Sequence, residues 1–230
     1  MAALLWGPSM SAFSTARLKM VDGQVRTSDV TDIRIVDAML EVPREAFVPE
    51  NKRPLAYLDL DLDVTEGGSA RRFLIKPMVT AKLLQAAEIK ATDTVLVVGC
   101  ATGYAAALVA KLAGQVTATE TDPALAAKAK EVLAQLGLGS VTVRTADPAE
   151  GVRTARPTMS SSSMARPRSC RTGFTVSLRT AAGWSGVFAM TQPQRATIVI
   201  RSHGVLGNRV LFDAAAPVLP GMERRPAFVF

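Results

Sequence analysis

Two glycines and two acids carry the most legible chemistry in this chain. Gly99-Cys100-Ala101-Thr102-Gly103 is a short turn followed directly by Tyr104, Glu120 stands 21 positions beyond Gly99, and Asp147 stands further on. Glycines in such a turn let the backbone approach a ligand closely at the start of a helix, and an acid about twenty residues later is placed to accept hydrogen bonds from ribose hydroxyls. Asp147 is placed to meet an adenine edge. With Ala101 and Tyr104 inside the same motif, the candidate cofactor-binding set is Gly99, Ala101, Gly103, Tyr104, Glu120 and Asp147. The alternative is that the glycines serve packing alone, in a bare α/β scaffold. The motif is not G-x-G-x-x-G, and its spacing suits the sulfonium nucleoside S-adenosylmethionine, which has no pyrophosphate, better than NAD.

The elements that must hold these residues can be read from periodicity. Thr94–Val98 is a continuous apolar run, as expected for a strand buried on both faces, and it ends at the glycine turn. An Ala-rich helix over Ala105–Ala113 follows, then a strand over Gln115–Thr119 that delivers Glu120. Asp122 and Pro123 supply the cap and first residue of another helix, Gly137 stops it, and a third strand over Val141–Arg144 leads to Asp147. Strand, glycine turn, helix, strand, acid, helix, strand is the nucleotide-binding half of a doubly wound sheet. Upstream, Ile33, Val36, Met39 and Leu40 recur at helical spacing behind Asp32. Leu58–Val64, LDLDLDV, reads as a polar-faced edge strand or extended loop, and Pro77 opens a helix running to about Ala87.

Length and composition exclude other classes. At 230 residues and 24.4 kDa the chain fits one sizeable α/β domain. Its 48% hydrophobic and 20% charged residues argue against disorder, and no stretch reaches the roughly eighteen apolar residues of a spanning helix, so no membrane role is expected. One histidine, His203, anchors no metal cluster, and as a lone His in a turn it reads as a surface residue; Cys100 and Cys170 make no disulfide framework. The N-terminus has no basic residue ahead of its short apolar run, so a secretory signal is not expected. Its lack of acids leaves a mitochondrial-type presequence open, beside the simpler reading that Met10 or Met20 is the natural start and residues 1–19 are a loose tail. The expected compartment is the reducing cytoplasm. The net charge of +7 is concentrated: five arginines and no acid lie between Arg156 and Ser185, leaving only +2 elsewhere, so no nucleic-acid partner is expected.

The segments VDGQVR (Val21–Arg26), VDAMLEVPREAFVPE (Val36–Glu50), LAYLD (Leu55–Asp59), VLVVGCATGYAAALVAKLAGQVTATETDPALA (Val95–Ala126) and VTVRTADPAEG (Val141–Gly151) occur in an order that resembles the protein-L-isoaspartate O-methyltransferases. The VPREAFVPE phrase is the distinctive one; the glycine motif is shared by many methyltransferases. The resemblance implies a Rossmann-like methyltransferase fold, S-adenosylmethionine as cofactor, and methyl transfer to the isoaspartyl carboxylates of damaged proteins. Two departures stand out. The family's active-site loop reads close to GQTISQP, and the matching RRFLIKP (Arg71–Pro77) puts Ile75 in the position of the family's Ser. An aliphatic side chain offers a substrate carboxylate no hydrogen bond, so activity is expected to be weak or absent. The family's middle glycine is replaced by Ala101, which costs only a methyl group provided that its φ stays negative.

After Gly151 the pattern changes. PTMSSSSMARPRSCR, Pro157–Arg171, offers four serines in a row, two prolines and three arginines where the sheet needs its fourth strand, beside the first. One reading is a low-complexity solvated loop. The genetic code supports another. If serine is written TCN, joining the third base of each codon to the next two turns Ser-Ser into an apolar codon, Met159-Ser160 into Val and Met164-Ala165 into Gly. The neighbouring Pro-Thr, Thr-Met and Ser-Met steps each become Asn, Asp, His or Tyr. The result resembles the family's YDVIILNG-like fourth strand, and in the same frame Ala182–Gly186 permits its GGRLV-like turn. Residues from about 157 to 185 are therefore expected to be a frameshifted tract that forms no buried apolar fourth strand.

Two strand-like runs, Ala196–Ser202 and Val210–Ala214, flank a Gly-Asn turn and read as a closing antiparallel pair. The expected architecture is thus an α/β, Rossmann-like doubly wound sheet in a single domain over 20–230. It comprises an N-terminal extension with the active-site loop (20–75), a core (76–190) and C-terminal strands (191–230). The function classes in play are an isoaspartyl O-methyltransferase, a catalytically silent S-adenosylmethionine-binding or scaffold protein, and an Arg-rich nucleic-acid binder that depends wholly on the suspect tract.

Overall fold

Thr94–Val98 needs partners on both edges and cover on both faces, and it obtains them as an interior strand of a seven-stranded sheet. The structure is a computed structural model; it describes residues 9–66, 71–146, 174–179, 183–188, 194–202, 205–217 and 219. In chain order the helices are α1 (Ser9–Met20), α2 (Ile33–Glu41), α3 (Pro77–Ala86), α4 (Tyr104–Ala110) and α5 (Pro123–Gln135). The strands are β1 (Leu62–Asp63), β2 (Phe73–Leu74), β3 (Thr94–Val98), β4 (Gln115–Glu120), β5 (Thr142–Thr145), β6 (Phe174–Arg179), β7 (Gly183–Phe188), β8 (Arg195–Ser202) and β9 (Val205–Asp213).

The large sheet has the order β5-β4-β3-β6-β7-β8-β9. β3 pairs in parallel with β4, Val95 opposite Val116 and Val97 opposite Ala118, and β4 pairs in parallel with β5. The nucleotide-binding half expected from the sequence is therefore present, with α4 and α5 as its crossovers. Asp122 caps α5 by accepting from the Ala124 and Leu125 amides at 2.8 and 3.3 Å, and Pro123 occupies the first turn where its missing N–H costs nothing. The C-terminal strands expected as an antiparallel pair are found as β8 and β9, but the Gly-Asn stretch expected as their turn belongs to β9, with Gly207 opposite Ile200 and Asn208 opposite Val199.

Two expectations need correction, and a third is narrowed. The edge of β3 opposite β4 is not left to a missing strand: β6, inside the suspect tract, pairs with it antiparallel, Val97 opposite Leu178. FTVSLR alternates apolar and polar residues as a strand does, a period-two signal masked by the serine run before it. The serine run itself, Cys170, Asp147 and His203 lie outside the described residues. Residues from Ser9 are helical rather than a loose tail, because α1 is anchored: Arg17 donates to Tyr57 Oη at 2.9 Å and pairs with Glu45 at 3.1 Å, and Met20 is buried. Of LDLDLDV, only Leu62–Asp63 forms ladder, a two-residue antiparallel contact with Phe73–Leu74.

The core is continuous from the N-terminal helices to the sheet. The apolar stripe of α2 buries Ile35, Val36 and Met39, and α4 is buried from Tyr104 through Val109, as an Ala-rich crossover wedged between sheet and extension must be. Among the described residues no helix is long and apolar enough to cross a membrane, and no three His, Cys, Asp or Glu side chains group as metal ligands.

Candidate functional site

The glycine turn connects β3 to α4 at the C-terminal end of the parallel strands. Its backbone is left-handed at three of five positions: Gly99 (φ 69°), Ala101 (φ 49°) and Gly103 (φ 101°). Gly99 and Cys100 both donate to the carbonyl of Thr119, at 2.8 and 2.9 Å, which ties the turn to the end of β4. A Cβ at Gly103 would stand 3.2 Å from that of Ala129 on α5, so glycine also permits close helix packing here. Ala101 does not keep the negative φ that its tolerance was expected to require. The turn needs a left-handed residue there, and a side chain in that region carries roughly 1–2 kcal/mol of strain.

Glu120 ends β4 beneath the turn and is buried. Its Oε2 accepts the Ala101 amide at 2.7 Å, and its Oε1 accepts the Thr121 amide at 2.9 Å. Both oxygens are also held by Arg72, Nε to Oε1 at 3.0 Å and Nη2 to Oε2 at 2.7 Å. Arg72 precedes β2 in the loop that matches the family's active-site segment, and its guanidinium was not foreseen as part of the site. The clue available in the sequence was a second charged residue, next to Arg71, at a place where the family motif has neutral Gln. Cys100 lies beside this pair, and burial, with some help from the Glu120 charge, pushes its thiol up to about 12, so it is an inert thiol and no nucleophile.

Ile75 and Tyr104, two further foreseen residues, meet beside the turn. Ile75 is buried and lines, with Arg44, Thr80, Gly99, Cys100 and Tyr104, a cavity of only about 10 Å³. The Tyr104 ring is occupied by protein: the Arg44 guanidinium lies 4.7 Å from its centroid and Phe47 meets it edge-on at 5.6 Å. Arg44, in the VPREAFVPE phrase, is itself buried; it donates from Nε to the Ala56 carbonyl and from Nη2 to the Ile75 carbonyl, each at 2.8 Å. Desolvation holds its pKa below the usual arginine value; two carbonyls and an aromatic face partner the cation, while its Nη1 is buried with no hydrogen bond. Thr102 fastens the turn to the same phrase through a 2.6 Å bond to the Phe47 carbonyl. A separate open groove of about 420 Å³, lined by Pro49–Lys52, Thr65 and Glu66, contains none of the glycine turn or Glu120, so volume alone does not locate the chemistry.

A Cβ built on Gly99 would fall 2.5 Å from a Leu219 methyl carbon and 2.9 Å from Arg72 Nη2. That face of the turn is a cradle of bare glycine backbone above a buried carboxylate, covered by the side chains of Leu219 and Arg72. Its residues fit a nucleoside once those side chains withdraw.

With this geometry in view, the comparison with known proteins is decisive at the level of family. The model of the protein-L-isoaspartate(D-aspartate) O-methyltransferase (PCMT) family matches residues 16–160. The chain belongs to that family. Protein-L-isoaspartate O-methyltransferase 1 of Rhodopseudomonas palustris (strain HaA2) is 40% identical over 141 residues, which are 61% of this chain and 56% of that protein. The Koribacter versatilis enzyme is 38% identical over 150 residues, 65% of this chain and 66% of its own length. The matched part thus spans between about half and two thirds of these PCMT relatives. Among solved structures, a protein-L-isoaspartate O-methyltransferase superposes with a TM-score of 0.70 at 18% identity, covering 90% of this chain and 67% of that one. A Plasmodium falciparum PCMT in complex with S-adenosyl-L-homocysteine gives 0.63 at 15%, covering 91% and 98%. At these identities the likeness shows a shared Rossmann-like fold, and it extends over the C-terminal strands that the family match does not reach.

Proposed function

We propose that this chain binds S-adenosylmethionine on the Gly99–Gly103 turn and is built for methyl transfer to the carboxylate of isoaspartyl residues in damaged proteins. The observation that carries the reading is Glu120: a buried carboxylate at the end of β4, bonded to the glycine-turn backbone at Ala101, in a chain of the PCMT family. When bound, the cofactor supplies an electrophilic methyl on a sulfonium. The protein's share is binding, orientation and exclusion of water, since a carboxylate needs no general base to attack a methyl group in line. Gly99 and Gly103 let the backbone approach, Glu120 offers acceptors to the ribose, and the loop before α3 holds residue 75 buried beside the turn.

A second reading, a silent cofactor-binding protein, is favoured by Ile75. Its side chain is buried beside the turn and has no hydrogen bond to give to a substrate carboxylate. A polar partner missing from a buried carboxylate costs on the order of 1–3 kcal/mol, so turnover should fall at least about tenfold below that of a Ser-bearing enzyme. Labelled-methyl transfer to an isoaspartyl peptide separates the readings. Slow transfer by the natural chain and a gain in Ile75→Ser support an attenuated methyltransferase. No transfer by either variant, with S-adenosylhomocysteine still bound in calorimetry, supports the silent protein.

The tract from about 157 to 185 belongs to the same proposal. The family match ends at residue 160, inside it. Nucleotide sequence across the tract tests the frame directly: serines 160–163 written as TCN triplets agree with the shifted reading, and AGC or AGT codons there defeat it.

A further inference from the structure

We propose that Arg72 is an internal competitor for the carboxylate of Glu120, so that an adenosyl cofactor enters this chain by displacing the guanidinium from its site. The proposal rests on the functional reading above, and it concerns a residue in which this chain departs from the family's loop motif.

The geometry has three parts. First, Arg72 uses the full width of Glu120: Nε and Nη2 reach the two carboxylate oxygens at 3.0 and 2.7 Å, with both side chains buried, 6% and 0% exposed. An ionised carboxylate offers about four lone-pair positions. The Ala101, Thr121 and Asp122 amides and the two Arg72 nitrogens together aim five donors at them, so the carboxylate is saturated. Ribose hydroxyls, which would donate to the same oxygens, find none free while Arg72 is in place. Second, Arg72 Nη2 lies 2.9 Å from the point where a Cβ on Gly99 would stand, so the guanidinium covers the glycine backbone as well as the acid. Leu219 closes the rest of that face, and the neighbouring space is a cavity of about 10 Å³, no larger than a single water needs. Third, the contest is confined to a side chain. The backbone of Arg72 is fastened by its amide to Thr65 Oγ1 at 2.7 Å and by its carbonyl to the Val64 amide at 2.9 Å, beside the β1–β2 ladder. Glu120 keeps its backbone donors when the guanidinium leaves, so opening the site strips the carboxylate of one partner and leaves it hydrogen-bonded.

A bidentate charge-assisted pair is stronger than neutral hydroxyl donors to the same carboxylate. Cofactor affinity is therefore set by a competition inside the protein, and the side chain at position 72 tunes it. Arg72→Gln restores the neutral residue of the family motif and removes the competing charge; Arg72→Lys keeps a charge without the fork.

Calorimetric titration of the full chain and both variants with S-adenosylhomocysteine tests this. Arg72→Gln is expected to bind at least about tenfold more tightly than the natural chain, a gap corresponding to about 1.4 kcal/mol, with Arg72→Lys between them. Equal affinity in Arg72→Gln and the natural chain overturns the proposal while leaving the cofactor reading intact. Weaker binding by Arg72→Gln also overturns it, since Arg72 would then be helping to hold the cofactor. Absence of binding by all three folded proteins, checked by circular dichroism, overturns the proposal together with the reading beneath it. Should Arg72→Gln not fold, Arg72→Lys against the natural chain decides alone, with tighter binding in support and equal or weaker binding against.

Discussion

On one side of β3 the sheet continues through β4 and β5 in parallel register, with α4 and α5 carrying the chain back each time; on the other it continues through β6 to β9, each strand antiparallel to the last. The parallel side demands continuous apolar strands and crossover helices, and it brings the turn after β3 and the acid after β4 to one edge. The antiparallel side needs only turns between neighbours, and its cover fades along the strand: Ala196, Thr197 and Ile198 are buried on β8 while Ile200 is exposed, and β9 ends the sheet with Val210 in solvent. Binding chemistry gathers where connections are long, because there strand ends with different residues meet at one edge. The meander supplies breadth of sheet and closes the core.

The sharpest way to break this contrast is through its two ion pairs. Arg72–Glu120 is buried in the parallel half, whereas Arg195–Asp213 joins β8 to β9 with side chains 44% and 70% exposed. Glu120→Ala should lower stability by about 3–5 kcal/mol, because it strands a buried cation and leaves turn amides without an acceptor. Asp213→Ala should cost less than about 1 kcal/mol. Urea unfolding of both variants checks the ratio, and similar costs would mean that the two halves do not differ in this respect. Next in size, Leu108→Ala in fully buried α4 should cost about 2–5 kcal/mol, against less than about 0.5 for Val210→Ala at a position 51% exposed.

Smaller effects sharpen the comparison within the parallel half. Asp122→Ala removes the cap of α5 and should cost about 1 kcal/mol, seen as a lower urea midpoint with unchanged slope. Ala101→Gly should do the reverse. Relief of a left-handed alanine, less the added freedom of glycine in the unfolded chain, should stabilise by roughly 0.5–1 kcal/mol, and a fall in Tm would show that φ 49° is not strained there.

The parallel half was legible because its signals are local: the TVLVV run, the glycines, Asp122-Pro123 and Gly137 each dictate the conformation of their own neighbourhood. What escaped was long-range or masked. Nothing near Arg72 announces that its partner lies 48 residues on, and Arg44 is legible as part of a family phrase but not as a buried cation. Ala101 was legible as a substitution, while its φ depends on how the turn hydrogen-bonds to Thr119 and Glu120. The strand over Phe174–Arg179 was hidden by composition: its six alternating residues follow closely on serines, prolines and arginines that carry no strand period.

Arg44 holds the carbonyl of Ile75 from behind with a buried side chain of fixed reach, and it grips Ala56 with the same guanidinium. The backbone at position 75 is thereby set by a residue thirty-one places away, independently of what side chain stands there. Such a mounting makes the position interchangeable: a hydroxyl, a methyl or a longer aliphatic group at position 75 would all be delivered to the same address.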